Sequence, residues 1–328
     1  MAKKKTSTAL ENPRQGIVIR NTGSSYVVRL DEGGDDVNCR VKGNFRIKGL
    51  RTTNHVAVGD RVVVAHAAHD ADYITKVLPR RNYIIRRASN LSKESHILAA
   101  NIDRAILVAT LREPVTTTTF IDRFLATAEA YAIPATLVLN KADMWDDDDR
   151  ELAEAIAYLY RGIGYDVVFT SAVDGTGIDT LKELTHNKTS LMAGNSGVGK
   201  SSLINALVPD ANLRTGAISD IHHTGTHTTT FSEMITLPDG GYLIDIPGVK
   251  SFGVIDFEPA QVSHYFPEIF EIGKNCKYGD CKHTGEPGCA VREALDEHRI
   301  AESRYTSYLS ILEEAAEAAG ADKYRKPF

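Results

Sequence analysis

The order of two short motifs restricts this chain more than any other feature. Asn140-Lys141-Ala142-Asp143 comes first, and the glycine-rich run Gly194-Asn195-Ser196-Gly197-Val198-Gly199-Lys200-Ser201 follows it. The later run fits the pattern G-x-x-x-x-G-K-[ST] with no mismatch. It also has the context the pattern needs, a strand-like TSLMAG before it and a helix-like SSLINALV after it. Glycines let the backbone curl so that successive N–H groups converge on phosphate oxygens, and the following helix aims its positive end there. Lys200 is expected to reach the β- and γ-phosphates and the Ser201 hydroxyl to bind Mg²⁺, with Ser202 beside it in the nucleotide site.

Asp143 is the candidate base reader, at the end of a strand-like run with Asn140 and Ala142 in the same tetrapeptide. A carboxylate accepts from both N1–H and the exocyclic amine of guanine, whereas adenine has an acceptor at N1 and no amine there. Charge-assisted hydrogen bonds of about 1.5–3 kcal/mol each would then separate GTP from ATP. Lys141 can lay its stem along the ring plane. Thr170-Ser171-Ala172 follows the next strand-like run and would bring the Ala172 amide near the guanine O6. Downstream, LIDIPG supplies Asp245 and Gly248 as D-x-x-G at a strand end. Asp245 is expected to hold Mg²⁺, largely through water, and the Gly248 amide to sense the γ-phosphate.

From about Tyr83 to Phe252 strand and helix patterns alternate, which implies a parallel or mixed sheet covered on both faces. GTP-hydrolysing sheets ordinarily begin with the phosphate loop and end with the base-reading elements. Here the base readers come first, so the expected topology is circularly permuted. VDGTGIDTLKELTHNKTS then joins what would otherwise be the two termini. Chain ends that lie close together make such a rearrangement structurally cheap.

Ahead of this block, from about Gly16 to Val77, β-rich segments are separated by Gly-Ser and Gly-Asp turns, which predicts a small closed barrel of the OB-fold type. Such barrels commonly bind nucleic acid, and the plainer alternative is a barrel that only packs on its neighbour. Arg40 to Arg51 carries five cations and no anion, and Arg80 to Ala88 has four arginines around a tyrosine and two isoleucines. These clusters make a nucleic-acid surface an expectation. The net charge of −5 excludes a molecule that binds polyanions over its whole surface. No apolar run approaches the ~18–20 residues that span a bilayer. The start, MAKKKTSTALENPRQG, lacks the apolar core of a secretory signal, so a cytoplasmic location is expected.

After Phe252 comes Cys276, Cys281, His283 and Cys289, spaced Cys-x₄-Cys-x-His-x₅-Cys. Three thiolates and an imidazole form a closed, structural zinc set, and Gly285, Pro287 and Gly288 supply the turn that returns Cys289. Two helix patterns, VREALDEH and ESRYTSYLSILEEAAEAAG, end the chain. The expected fold is multidomain, α/β and β. An N-terminal OB-fold β-barrel with a basic tail spans 1–82 and a circularly permuted P-loop GTPase α/β domain spans 83–252. A zinc-binding helical domain spans 253–328.

With the motifs in this order, a barrel before them and the cysteine cluster after them, the chain resembles the ribosome small-subunit-dependent GTPase A (RsgA) family over nearly its whole length. The resemblance implies a Mg²⁺-dependent GTP hydrolase, left with GDP after turnover, that holds one structural Zn²⁺. It implies docking as a monomer on the small ribosomal subunit and its rRNA late in assembly, with release on hydrolysis and no membrane partner. It also implies that Gly225 to Thr230, GTHTTT, is the first switch, with Thr228 or Thr229 sensing Mg²⁺. After Gly248, where many GTPases carry a water-orienting glutamine, stands Val249, which cannot position a nucleophile, so turnover without the subunit is expected to be slow. His227 is a candidate replacement, against a loop histidine with no chemical role. From the residues alone two other functions stay open: an RNA-binding protein with a regulatory GTP site, and a GTPase acting on a non-ribosomal partner.

Overall fold

The computed structural model describes residues 10–23, 25–41, 56–67, 72–87, 95–211, 233–245 and 257–323. The chain divides into two compact units. One comprises Met1–Asp103, Thr185–Leu191 and Ala217–Pro247, and the other Arg104–Leu184, Met192–Gly216 and Gly248–Phe328. Among the described residues no helix is long and apolar enough to cross a membrane.

The first unit opens with β1 (Leu10–Asn21), β2 (Tyr26–Leu30), β3 (Val37–Val41), β4 (Arg61–Ala67) and β5 (Asp72–Val77). β1 pairs with β2, β2 with β3, β3 in parallel with β5, β5 with β4, and β4 back with β1. That circuit closes the five-stranded barrel with OB-like connectivity that the turn spacing predicted. Alternation does the sorting: Tyr26, Val28 and Leu30 of β2 point inward to join Val18, Cys39, Val62, Val64 and Ile74. Burial pushes the Cys39 thiol up to about 12, so it stays protonated and inert in this core.

Two arginines of the stretch after the barrel, Arg80 and Arg81, have partners within the fold. Tyr83–Arg87 forms β6, which pairs antiparallel with β7 (Ser95–Ala100) in a separate two-stranded sheet. Arg80 is buried and makes a two-pronged ion pair to Asp60 at 2.6 and 2.7 Å, while Arg81 reaches Asp103 at 2.6 Å. Asp60 is fully buried and also caps Ala57 N–H at 2.8 Å, so Arg80 neutralises an interior carboxylate and not a nucleic acid.

The second unit holds β8 (Arg104–Ala109), α1 (Thr118–Ala130), β9 (Ala135–Asn140), α2 (Asp147–Ile163), β10 (Asp166–Thr170) and α3 (Ile178–Thr185). β8, β9 and β10 run parallel in that adjacent order. Every residue of β9 is buried, as a strand covered on both faces requires. α2 begins with a capping box in which Asp146 and Asp149 each accept the other's backbone N–H, and it stops at Gly164 with φ 116°. β11 (Thr189–Ala193) passes from the first unit's chain into the second's and leads to α4 (Lys200–Leu207). β12 (Glu233–Thr236) and β13 (Tyr242–Asp245) form the expected hairpin at Asp239-Gly240, in the first unit.

The last stretch belongs to the second unit and contains α5 (Pro267–Gly273), α6 (Ala290–Asp296) and α7 (Glu302–Lys323). Phe257, Val262, Phe266, Ile269, Val291, Tyr308 and Ile311 make its apolar core, and Ala126 of α1 packs into the same cluster. Each such fully buried large side chain contributes about 1.5–3 kcal/mol.

Candidate nucleotide site and metal centre

β9 ends on Asn140, whose side chain is 2% exposed and makes two contacts that organise the site. Its Nδ2 donates to the Val198 carbonyl at 2.8 Å, and its Oδ1 accepts from the Thr170 hydroxyl at 2.8 Å. One buried amide therefore ties the N-K-A-D corner to the glycine-rich loop and to the end of β10. Lys141 next takes a left-handed conformation, φ 66°, and its ammonium donates to the Glu113 carbonyl. That turn starts a short 3₁₀ segment, Ala142–Met144, which leaves Asp143 exposed to a ligand. After β10, Ser171 Oγ accepts the N–H groups of Val173 and Asp174 at 3.1 and 3.3 Å, which shapes the half-buried turn at Ala172.

The glycine-rich loop shows why two of its positions need glycine. Gly194 has φ 152°, and a Cβ there would lie 2.3 Å from the Val108 carbonyl oxygen. Gly199 has φ 94°, and a Cβ there would lie 2.4 Å from Asn140 Nδ2. Gly199 is also the N-cap of α4, with no side chain to occupy the first-turn N–H groups, which suits that helix end to an anion. Lys200 Nζ donates to the carbonyls of Gly194 and Asn195 at 2.8 and 2.9 Å, lying along the loop. Asn195, Ser196 and Gly197 are open to a ligand while Val198 is buried and anchors the loop; Ser201 and Ser202 are half-buried in the first turn of α4. The donor set fits a triphosphate with its Mg²⁺: backbone N–H groups, one ammonium and one serine hydroxyl in a single curl.

Asp245 closes β13, opposite Glu233 in register. Thr228, Thr229, His227 and Gly248 lie outside the described residues, as does Val249.

The four predicted zinc ligands converge. One donor atom from each of Cys276, Cys281, His283 and Cys289 lies within 4.8 Å of all the others. Cys276 and Cys289 Sγ are 4.0 Å apart, and each is 3.5 Å from His283 Nδ1. A tetrahedron with bonds of ~2.3 Å to sulfur and ~2.0 Å to nitrogen has edges of roughly 3.5–3.8 Å, so this cluster is the size of a zinc site. Burial lowers the His283 pKa, which favours the neutral imidazole a metal needs.

Several residues that organise these sites escaped the motif reading. Glu286 accepts the backbone N–H of Lys282 at 2.8 Å, of Thr284 at 2.9 Å and of Gly285 at 3.0 Å, clasping the loop that carries His283. Burial opposes its charge, but these N–H bonds outweigh it and hold its pKa down to about 2. Its place inside Thr-Gly-Glu-Pro-Gly, between two ligands, was the available signal. Tyr305 and Tyr308 of α7 add hydroxyl bonds to the carbonyls of His283 and Lys282 at 2.6 and 2.7 Å. Arg304, 1% exposed at its side chain, reaches Asp122 of α1 at 2.9 Å and Glu268 of α5 at 2.7 and 3.1 Å. Tyr160 of α2 donates to the same Asp122 oxygen at 2.7 Å.

Comparison with known proteins points one way. The family model described as RsgA GTPase matches residues 77–255, and that described as RsgA N-terminal domain matches residues 15–74. A Porphyromonas gingivalis protein named Small ribosomal subunit biogenesis GTPase RsgA is 57% identical over 318 residues, covering 95% of this chain and 99% of that protein. The crystal structure of YjeQ from Thermotoga maritima is similar with TM-score 0.76 at 36% identity, over 93% of this chain and 99% of that one. The crystal structure of YloQ, described as a circularly permuted GTPase, is similar with TM-score 0.73 at 28% identity over the full length of both.

Proposed function

The chain belongs to the RsgA GTPase family, and on that premise we propose that it hydrolyses GTP to GDP and phosphate as a biogenesis factor of the small ribosomal subunit. The observation that carries the nucleotide half is the bond from Asn140 to the Val198 carbonyl, which joins the base-reading corner to the phosphate loop. The ribosomal half rests on the relatives.

In this reading Asp143 accepts from guanine and the Ala172 amide faces its O6. The N–H groups of Gly194 to Ser202 hold the phosphates, and Lys200 turns from the loop carbonyls to the β- and γ-phosphates. Mg²⁺, when bound, supplies charge neutralisation between those phosphates, and Ser201 and Asp245 are the residues to hold it. Thr228 or Thr229 senses Mg²⁺ and the Gly248 amide the γ-phosphate, and His227 orients the attacking water in place of the glutamine that Val249 replaces. Isolated turnover is then slow and contact with the subunit completes the site. Zn²⁺ at Cys276, Cys281, His283 and Cys289 has no position left for chemistry and serves as a brace. The protein acts as a cytoplasmic monomer at a late step, contacting rRNA through the barrel and the zinc-binding domain and leaving on hydrolysis. The domain limits in this reading are 1–82, 83–252 and 253–328.

Two measurements test it. GTP turnover is compared with and without purified small subunits, and co-sedimentation with those subunits is compared in a nonhydrolysable GTP analogue and in GDP. Stimulated turnover and analogue-dependent co-sedimentation are expected. Turnover indifferent to the subunit, or co-sedimentation equal in both nucleotides, would refute the cycle.

A further inference from the structure

One cleft in the second unit is built unlike its surroundings. It has a volume of about 200 Å³, part of it the metal position, and is lined by His264, Phe270, Lys274 and Tyr278 together with Cys276, Cys281 and His283. Phe270 is 36% exposed although Ile269 beside it is fully buried, and Tyr278 is 43% exposed. Neither ring is part of the apolar core formed by Phe257, Phe266 and Tyr308. Each carries a cation: Lys274 Nζ lies 5.0 Å from the Phe270 ring centre and Lys277 Nζ 5.4 Å from that of Tyr278. The His264 ring meets Phe270 edge-on at 4.8 Å.

Rings left in water beside lysines suit a ligand that is flat and joined to negative charge. Lys274 also pairs with Glu271 at 2.6 Å, but both side chains are more than half exposed. Such a pair contributes ~0–1 kcal/mol, so the ammonium can exchange its partner for a phosphate. Unpaired bases stack on aromatic faces while lysines meet the backbone, and a duplex hides those faces. A protein partner would be matched better by a continuous apolar patch than by ring-and-lysine pairs.

We propose that this cleft takes one unpaired base of single-stranded RNA, stacked on Phe270 or Tyr278, with adjacent phosphates at Lys274 and Lys277. Only the source of that RNA rests on the reading of the chain as a small-subunit factor.

The full-length, zinc-loaded protein is titrated onto a short fluorescein-labelled RNA of mixed sequence, either single-stranded or annealed to its complement, at one salt concentration. Phe270→Leu/Tyr278→Leu keeps apolar bulk and removes the ring faces. The variant is expected to bind the single strand about 5- to 150-fold more weakly, the equivalent of ~1–3 kcal/mol per stacked base. Its zinc content, basal GTP turnover and duplex binding are expected to match wild type. Unchanged single-strand affinity overturns the proposal, and so does an equal loss on the duplex. Unchanged RNA binding with lost co-sedimentation on small subunits assigns the cleft to a protein and also overturns it. Should the double variant lose zinc, Lys274→Gln/Lys277→Gln decides. Weaker binding with a shallower salt dependence supports the cleft, and unchanged affinity and slope refute it. Wild type that fails to co-sediment with small subunits defeats the functional reading alone, because the oligonucleotide titration still judges the cleft.

Discussion

Asn140 and Val198 are joined by a 2.8 Å hydrogen bond from a buried side-chain amide to a backbone carbonyl, across 58 residues of chain. The same amide takes the Thr170 hydroxyl on its other end. The N-K-A-D corner and the glycine-rich loop therefore share one mechanical anchor, and loosening it is expected to disturb both.

Asn140→Ala removes both bonds and strands the Thr170 hydroxyl in the interior. An unsatisfied buried polar group costs ~1–3 kcal/mol. Calorimetry is expected to show GTP and GDP binding weakened together by roughly 5- to 150-fold. Loss of one and not the other would contradict a shared anchor.

Gly199→Ala places a methyl 2.4 Å from Asn140 Nδ2 at φ 94°. The strained backbone alone costs ~1–3 kcal/mol. Nucleotide affinity is expected to fall at least about 10-fold, with thermal stability of the nucleotide-free protein reduced as well. Gly279→Ala, where a Cβ meets nothing within 4 Å, is the matched control and is expected to be silent.

Asp143→Asn keeps the shape and removes the charge from an exposed position. GTP affinity is expected to drop about 10- to 150-fold, from ~1.5–3 kcal/mol for a charge-assisted hydrogen bond, while ATP binding stays weak and unchanged. Competition between labelled GTP and ATP measures the ratio directly.

Arg304→Met leaves Asp122 and Glu268 facing each other's interior without their cation. Removing one partner from a buried ion pair typically costs ~3–5 kcal/mol. A large fall in melting temperature is expected, and adding Asp122→Asn and Glu268→Gln is expected to restore part of it. Arg299→Met, an exposed arginine paired with Glu297, is expected to change little.

Glu286→Gln tests the clasp around His283. The folded pKa of Glu286 lies at about 2, below its ordinary 4.5, so its contribution to stability is complete above about pH 4.5 and disappears as the pH falls toward 2. At neutral pH the variant is expected to release zinc to a chelator about 10- to 100-fold more readily, the range seen when such supporting groups are removed. Equal release rates would show that the loop holds its shape without the carboxylate.

What could be read from the sequence was what is local. The phosphate loop and the N-K-A-D corner each lie within eight residues and the zinc set within fourteen, so their spacing already encodes local geometry. The barrel was legible because short β-rich segments are separated by Gly-Ser and Gly-Asp turns. Arg80 was misleading for the opposite reason: its partner, Asp60, is reached only through the fold. The same holds for Arg304, which follows Ser303 at the polar start of a helix pattern and meets Asp122 from 182 positions away. Nothing in a one-dimensional pattern distinguishes that arginine from a solvated one. Glu286 stood between, visible as an acid in a ligand loop but without a motif to name its role.

The distance between Asp122 and Arg304 along the chain also sets a schedule for biosynthesis. A ribosome adding ~5–20 residues per second exposes the carboxylate roughly 10–40 s before the guanidinium that neutralises it. Through that interval α1 cannot bury its acid at low cost, so the helix waits for Arg304 of α7. Nascent chains cut short before α7 would keep this half open to proteases, which makes synthesis of α7 the event that seals it.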